Sequence, residues 1–303
     1  MWTLISEDED GTYPIGYVLD EVLAELLNVP QEVRGEVKVD EEEKTIQLLA
    51  GLATEQERTR AIANLSDHWR QNETFKILKK WRNELWPVYG RKGELLFSME
   101  RTALGLFGAM RYGVHMMAYV KDDTAPYGMK LWIPRRAADK STFPGMLDNT
   151  VAGGLMTGED PFECMIREAD EEASLPEAIV REKSEHVGTV TYIYITNTKQ
   201  HGTEGLVYPE CQWVYHLELD EHVIPKPNDG EAEGFYLRDV ESVKEDLAQG
   251  KFKDNCALVL IDFFVKKGIL TKDNEKDLRE IETRMHRTMP FPGPHQPDWK
   301  AAE

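Results

Sequence analysis

Between Asp160 and Leu175 the chain reads Asp-Pro-Phe-Glu-Cys-Met-Ile-Arg-Glu-Ala-Asp-Glu-Glu-Ala-Ser-Leu, and this segment constrains the fold more than any other. Asp160 is a good N-cap and Pro161 suits the first helical position. Glu163 places negative charge near the positive end of the helix. The pattern predicts a helix to about Ala173 that stops near Ser174 and Pro176. On that helix Glu168 precedes Glu171 by three residues and Glu172 by four, so three carboxylates share one face, one turn apart. Unneutralised, they repel. Acidic triples of this kind commonly face water, and that is the plain reading. A hard divalent cation with oxygen preference, Mg²⁺ or Mn²⁺, would reverse the sign of the interaction.

The surroundings favour the second reading. A glycine-rich approach at Gly153-Gly154, Glu159 in the following loop and Arg167 beside the carboxylates accompany the triple. Taken together, Gly153, Glu159, Arg167, Glu168, Ala169, Glu171, Glu172 and Leu175 resemble the Nudix box, Gly-x5-Glu-x7-Arg-Glu-U-x-Glu-Glu-x-Gly-U with U apolar. Ser174 stands where the family has glycine, a modest backbone cost at a helix end that touches no ligand. Ala169 is a small choice for an apolar position.

The resemblance implies an α/β fold, the Nudix α/β/α sandwich with a mixed sheet. It implies that Glu168, Glu171 and Glu172 bind divalent metal, Mg²⁺ or Mn²⁺, with the Gly153 carbonyl joining them. Glu159 and Arg167 would form an internal ion pair that keeps loop and helix in register. Metal ions in the family bridge diphosphate oxygens and activate water for attack on phosphorus. A base or extra ligand is expected from a later loop, here Asn228 to Leu237. Glu231 is the first choice and Glu233 the second, against a solvated loop as the alternative. Catalysis is thus assigned to Glu231, Glu171 and Glu172.

The flanks narrow the family. Trp132-Ile-Pro-Arg-Arg136, the stretch from Lys140 to Gly154, and Phe252 to Phe264 are similar to fungal and plant Nudix proteins related to thiamin pyrophosphokinase. Those proteins carry an N-terminal domain of about a hundred residues. The implied reaction removes the terminal phosphate of thiamin diphosphate, above all of its oxidised oxo and oxy forms. Arg135, Arg136 and Lys140 could meet phosphate oxygens, and Trp86, Tyr89 and Phe143 could stack on a flat ring. A cationic thiazolium would suit an acidic, aromatic pocket. Each residue has a packing or surface ion-pair alternative. Another organic diphosphate, such as a prenyl diphosphate with an apolar tunnel, and a non-catalytic Nudix-fold binding module are the competing functions. Isopentenyl-diphosphate isomerase shares the fold but needs a cysteine just before the box, where this chain has Asn149-Thr150-Val151-Ala152.

The rest of the chain divides around this segment. Residues 1–110 read as a smaller mixed α+β domain: a helix with Leu19, Val22, Leu23, Leu26 and Leu27, a capping box at Thr54 and Glu57, a helical stretch over Thr74 to Trp81, and a hairpin flanking Gly90 to Gly93. It could be a lid, a specificity module or a dimerisation element. The run Asp40 to Glu43 suggests metal at first sight and a solvated turn on reflection. Residues 111–288 form the expected Nudix domain, including a charged helix over Asn274 to Met289, and 289–303 an extended tail. The chain has 36 Lys+Arg against 55 Asp+Glu, a net charge of −19. That balance opposes nucleic acid and anionic membranes as partners and leaves a small organic diphosphate, with a homodimer possible through the N-terminal domain. Three scattered cysteines and the lack of a basic leader predict a cytoplasmic protein.

Overall fold

The structure is a computed structural model that describes residues 1–140, 142–197 and 204–299. Its first part holds a four-stranded sheet in the order β2-β1-β4-β3, from β1 (Trp2–Asp8), β2 (Gly11–Val18), β3 (Val37–Asp40) and β4 (Thr45–Leu48). Strands β1 and β2 were not expected from the sequence. Pro14 and Gly16 break the strand pattern of β2, and Pro14 is tolerated because β2 is the sheet edge. Helix α1 (Asp20–Asn28) packs Val22, Leu23 and Leu26 inward. The four-residue helix α2 (Gln31–Arg34) follows.

Helix α3 (Glu55–Gln71) starts on the expected capping box, with Thr54 and Glu57 each accepting the other's backbone N–H. Glu73 then takes a left-handed φ of 52°. The predicted helix over Thr74 to Trp81 is reduced to a 3₁₀ turn at Lys76–Lys80. The expected hairpin is β5 (Leu85–Tyr89) and β6 (Leu95–Glu100), followed by the short helix α4 (Arg101–Leu104). The acidic run is a turn in which the Asp40 carboxylate accepts the N–H groups of Glu42 and Glu43.

The second part is built on β7 (Arg111–Lys121), buried along almost its whole length. One edge of β7 pairs parallel with β11 (Val207–Glu218), and β10 (Ser184–Ile195) lies outside β11. The other edge is shared. Its first half pairs with β9 (Val151–Gly154) and its last residues with β8 (Met129–Arg136), which carries β12 (Ala232–Asp239) outside it. Thr150 stitches the fork between β9 and β8, its hydroxyl accepting the Ala118 N–H and donating to the Trp132 carbonyl, both at 2.8 Å.

Side-chain alternation along β7 sorts the two cores. Tyr112, Val114, Met116, Ala118 and Val120 face helix α5 (Pro161–Ala173). Met117 and Tyr119 face helix α8 (Asp254–Lys266) through Val259, Leu260 and Phe263. The short helix α6 (Glu177–Lys183) joins the first layer, and α7 (Val240–Ala248) and α9 (Leu278–Met285) the second. This is the expected α/β/α sandwich. Helix α9 is shorter than the Asn274 to Met289 span expected. Among the described residues no helix is long and apolar enough to cross a membrane.

Two features depart from a simple pair of domains. The hydrophobic core of the first part continues onto Leu206 and Tyr208 of the second, with Met156 and Tyr194 packed against it. The segment after Met289, expected as an extended tail, is strapped down as far as it is described. Phe291 is buried against Tyr17 at 4.8 Å, His295 meets the Tyr112 hydroxyl at 3.3 Å, and Trp299 lies edge-on to Tyr13. Residues 300–303, and 198–203 of the polar loop between β10 and β11, lie outside the described residues.

Candidate active site

Helix α5 begins as its sequence dictates, with the Asp160 carboxylate accepting the N–H groups of Phe162 and Glu163. It ends on Ser174 at φ 50°, ψ 35°, the left-handed conformation that glycine adopts most easily. Ser174 N–H donates to the Asp170 carbonyl and Leu175 N–H to the Ala169 carbonyl, satisfying the last turn of the helix. Cys164, Met165, Ala169 and Ala173 are buried against the sheet.

The carboxylate face is thereby set against β9. Glu172 accepts the Ala152 N–H at 2.9 Å. A Cβ on Gly153 would overlap the Glu168 carboxyl, so that carboxyl rests directly on the glycine backbone. Arg167 grips Glu159 with both ends of its fork, at 2.8 and 3.2 Å. Its Nη1 reaches Glu168 at 2.9 Å and Glu171 at 3.0 Å, offsetting their repulsion.

Burial dominates the electrostatics. It pushes the Glu168 carboxyl up to about 7, with repulsion from Glu171 and Glu231 added and Arg167 opposing. Burial also raises Glu172 well above the carboxylate range, reinforced by Glu168, Asp148 and Glu231. Burial alone would raise Glu159, but Arg167 and the Met156 N–H hold it below its ordinary value. Two half-buried acids with raised proton affinity, set against a glycine backbone, make an oxygen donor set suited to Mg²⁺ or Mn²⁺. Among the described residues the side chains are not drawn together as a ready-made metal cage.

Glu231 lies across a small cavity from Glu172, with Asp148 and Arg136 in the same lining. Lys140 pairs with Glu231 at 2.5 Å. Arg136 is buried and pairs with Asp148 at 2.7 Å. Asp148 also accepts hydrogen bonds from the Cys256 thiol and the Asn149 N–H. Burial works against its ionised form, but Lys253 and Arg136 depress its pKa. Arg136 is thus committed to a buried ion pair and does not stand free for phosphate. Arg135 donates to the Gly145 carbonyl at 3.0 Å.

Gly153 and Gly154 also line a larger cavity of about 260 Å³. Phe143 lines it, as expected of a substrate contact. Trp86 lines it too, but its ring lies on Gly154 and is covered by the guanidinium groups of Arg101 and Arg111 at 4.9 and 5.1 Å. Tyr89 is outside the lining and packs edge-on to Tyr112. The expectation that Trp86 and Tyr89 present open ring faces is therefore corrected: both are wall and core. The expectation of an acidic pocket is corrected as well. Lys80, Arg82, Arg101, Arg111 and Lys253 line this cavity against the single carboxylate of Glu210.

These cations escaped the sequence reading, as did Tyr194 and Tyr208 in the same wall. They come from distant segments with no shared spacing, so only tertiary structure gathers them. His115 hydrogen-bonds Asn149 through Nδ1 at 2.7 Å. Burial, then Lys253, lowers its pKa to about 4, so the imidazole is neutral at physiological pH.

Comparison with known proteins gives these features a family. A domain of unknown function (DUF4743) matches residues 11–111, and the NUDIX domain matches residues 112–256. The uncharacterized protein YJR142W of Saccharomyces cerevisiae is 35% identical over 288 residues, spanning 93% of this chain and 83% of its own length. Nudix hydrolase 20, chloroplastic, of Arabidopsis thaliana is 37% identical over 222 residues, 72% of this chain and 55% of that protein. The chain thus spans little more than half of this plant relative. A solved structure from Deinococcus radiodurans is 25% identical, with a TM-score of 0.40, over 58% of this chain and 97% of that one. The chain therefore belongs to the Nudix hydrolase superfamily, enzymes of the pyrophosphohydrolase type that act on nucleoside and other organic diphosphates, here with a DUF4743 domain ahead of the Nudix domain.

Proposed function

We propose that the protein is a Mg²⁺-dependent diphosphatase that splits a small organic diphosphate into its monophosphate and phosphate. The observation that carries this reading is the intact carboxylate face, with Glu168 and Glu172 half-buried against the β9 backbone at Gly153 and Ala152. Glu168, Glu171, Glu172 and the Gly153 carbonyl are the proposed metal donors, with Mn²⁺ as the substitute ion. When bound, the metal supplies neutralisation of diphosphate oxygens and a more acidic water. Glu231, across the small cavity from Glu172, takes the proton of the attacking water. Lys140 holds the Glu231 carboxylate in place. Glu159 and Arg167 keep the loop and helix in register and do not touch substrate.

Thiamin diphosphate, above all an oxidised form, is the proposed substrate, supported by the likeness of the flanking segments and by the tyrosines of the larger cavity. The cationic lining opposes a thiazolium ring. It suits the oxo form, whose thiazolone ring carries no charge. It also speaks against a prenyl diphosphate, which needs an apolar tunnel. The proposed compartment is the cytoplasm, supported by three cysteines that are all free and buried. The test is a Mg²⁺-containing panel of thiamin, oxothiamin, oxythiamin, prenyl, sugar and nucleoside diphosphates, with products identified by mass spectrometry. Release of a monophosphate from the oxo form ahead of the others is expected. No turnover anywhere in the panel would sink the diphosphatase reading.

A further inference from the structure

The larger cavity is walled by both parts of the chain. Ile77, Lys80, Arg82, Trp86, Arg101 and Thr102 come from the N-terminal part, and Gly153 and Gly154 of the box also line it. Its charge is one-sided, and two of its five cations make no ion pair among the described residues. Glu210 already accepts hydrogen bonds from the Tyr192 hydroxyl at 2.6 Å and the Gln212 amide at 3.0 Å. Arg101 is paired with Glu84 at 2.9 Å. Arg111 lies between the rings of Trp86 and Tyr208, its Nε is without a hydrogen-bond partner, and Glu210 is 4.0 Å away. Arg82 and Lys253 have no ion-pair partner among the described residues.

The backbone at Arg82 is anchored. Its backbone N–H and that of Asn83 both donate to the buried Glu100 carboxylate, each at 3.0 Å. Lys253 stands on the other part of the chain, its N–H bonded to the Leu147 carbonyl at 3.0 Å. Burial alone would lower the Lys253 amine, but Cys256 and Asp148 hold its pKa above the ordinary value. Two cations from different domains thus line one cavity beside the box, in a protein whose net charge is −19. Arg82 is exposed and Lys253 half-buried with Asp148 nearby, and an anion entering the cavity would meet both positive charges.

We propose that Arg82 and Lys253 bind the phosphate oxygens of an organic diphosphate within this cavity, so that the DUF4743 domain supplies half of the substrate site. The inference rests on the diphosphatase reading for the identity of the ligand. It assigns the N-terminal domain a substrate-binding function rather than that of a lid or dimerisation element.

The experiment uses the full chain and inorganic pyrophosphate as the probe. Calorimetric titration in a chelating buffer, free of divalent cations, isolates the contribution of the protein cations. Wild type should bind, R82Q and K253Q should each weaken binding by at least about tenfold, and R82K should recover part of the loss. Circular dichroism must show the variants folded. With a turned-over substrate, R82Q should raise KM by a similar factor while kcat changes less. Absence of pyrophosphate binding in wild type, or wild-type affinity in both folded variants, would overturn the proposal. Binding that depends on Arg82 in a protein that hydrolyses nothing would uphold this site and refute the diphosphatase reading, so the two fail separately.

Discussion

The backbone N–H of Thr157 donates to the carbonyl of Leu85 at 2.9 Å, and the hydroxyl of Thr157 meets that of Ser98 at 3.0 Å. Leu85 and Ser98 belong to the two strands of the N-terminal hairpin. Thr157 belongs to the loop that carries Glu159 into the box. The hairpin therefore helps to position the Glu159–Arg167 pair, and through Arg167 the carboxylates of Glu168 and Glu171. Geometry at the metal-donor face depends on the N-terminal domain as well as on α5.

Replacing Glu172 with Gln should remove activity by at least about a hundredfold, the scale of losing one group that stabilises developing charge. The fold should survive, because the amide is isosteric and removes a half-buried carboxylate that its neighbours repel. Steady-state kinetics and a melting curve on the same preparation check both halves. Near-native turnover would refute the ligand assignment.

Arg167→Ala should act differently. It leaves Glu159 largely buried without its bidentate partner and lets Glu168 and Glu171 repel. A loss of about 1–3 kcal/mol in urea denaturation is expected, together with loss of activity. An R167A protein with wild-type stability would contradict the role given to this pair.

Ser174→Gly should stabilise the chain by about 0.5–1 kcal/mol. Relief of the left-handed strain at φ 50° exceeds the extra freedom that glycine gives the unfolded chain. Activity should not change, since Ser174 caps the helix and touches no donor. A lower midpoint in denaturant would show the strain to be absent.

Phe291→Ala should cost about 3–5 kcal/mol, as expected for a fully buried aromatic ring. The ring fills the space beside Tyr17 and joins the core beneath α5. Chemical denaturation reads this directly. A cost below about 1 kcal/mol would mean that the strap is not held in solution.

His286 gives the pH dependence. Its Nε2 lies 3.1 Å from the buried Asp262 carboxylate and its Nδ1 2.8 Å from the Thr189 carbonyl, so both nitrogens face acceptors and the imidazolium is favoured. The hydrogen bond to Asp262 raises its pKa above 6.5. Lys266 shares Asp262 at 2.5 Å, and the neighbouring His216 is held neutral by burial, then by Lys267 and Lys266. A raised histidine stabilises fully below its unfolded pKa of about 6.5, and the contribution is lost as pH rises through the folded value. The melting-temperature advantage of wild type over H286Q should therefore be present at pH 6 and shrink towards pH 8.5. The ring is partly exposed, so the change should be on the order of 1–2 °C. An advantage that grows with pH would reverse the assignment.

Local signals carried the sequence reading, and non-local ones escaped it. The ends of α5 were legible because Asp160, Pro161 and Ser174 act on their own helix. The Thr54–Glu57 capping box and the β5–β6 hairpin were legible for the same reason. Glu231 could be nominated because it stands in an acidic loop ahead of a strand. The cations Arg82, Arg101, Arg111 and Lys253 are spread over more than 170 residues and converge only when the sheet forms. The commitment of Arg136 to Asp148 was hidden likewise, since an arginine beside a strand reads the same whether it faces a phosphate or a buried carboxylate. Segment 289–299 looked like a tail because prolines deny it regular hydrogen bonding, although Phe291 and Trp299 supply enough apolar surface to hold it down.

The continuity of the first hydrophobic core onto Leu206 and Tyr208 bears on how the protein can be dissected. A cut near residue 110 passes through packed side chains rather than through a linker. The Nudix half produced alone would expose those residues together with Met156, and would lose the carbonyl that anchors Thr157. Its inactivity would then report a damaged fold rather than a missing accessory module. The halves of this enzyme are separable as sequence families but not as parts, and point substitution in the intact chain is the sound way to assign work to either one.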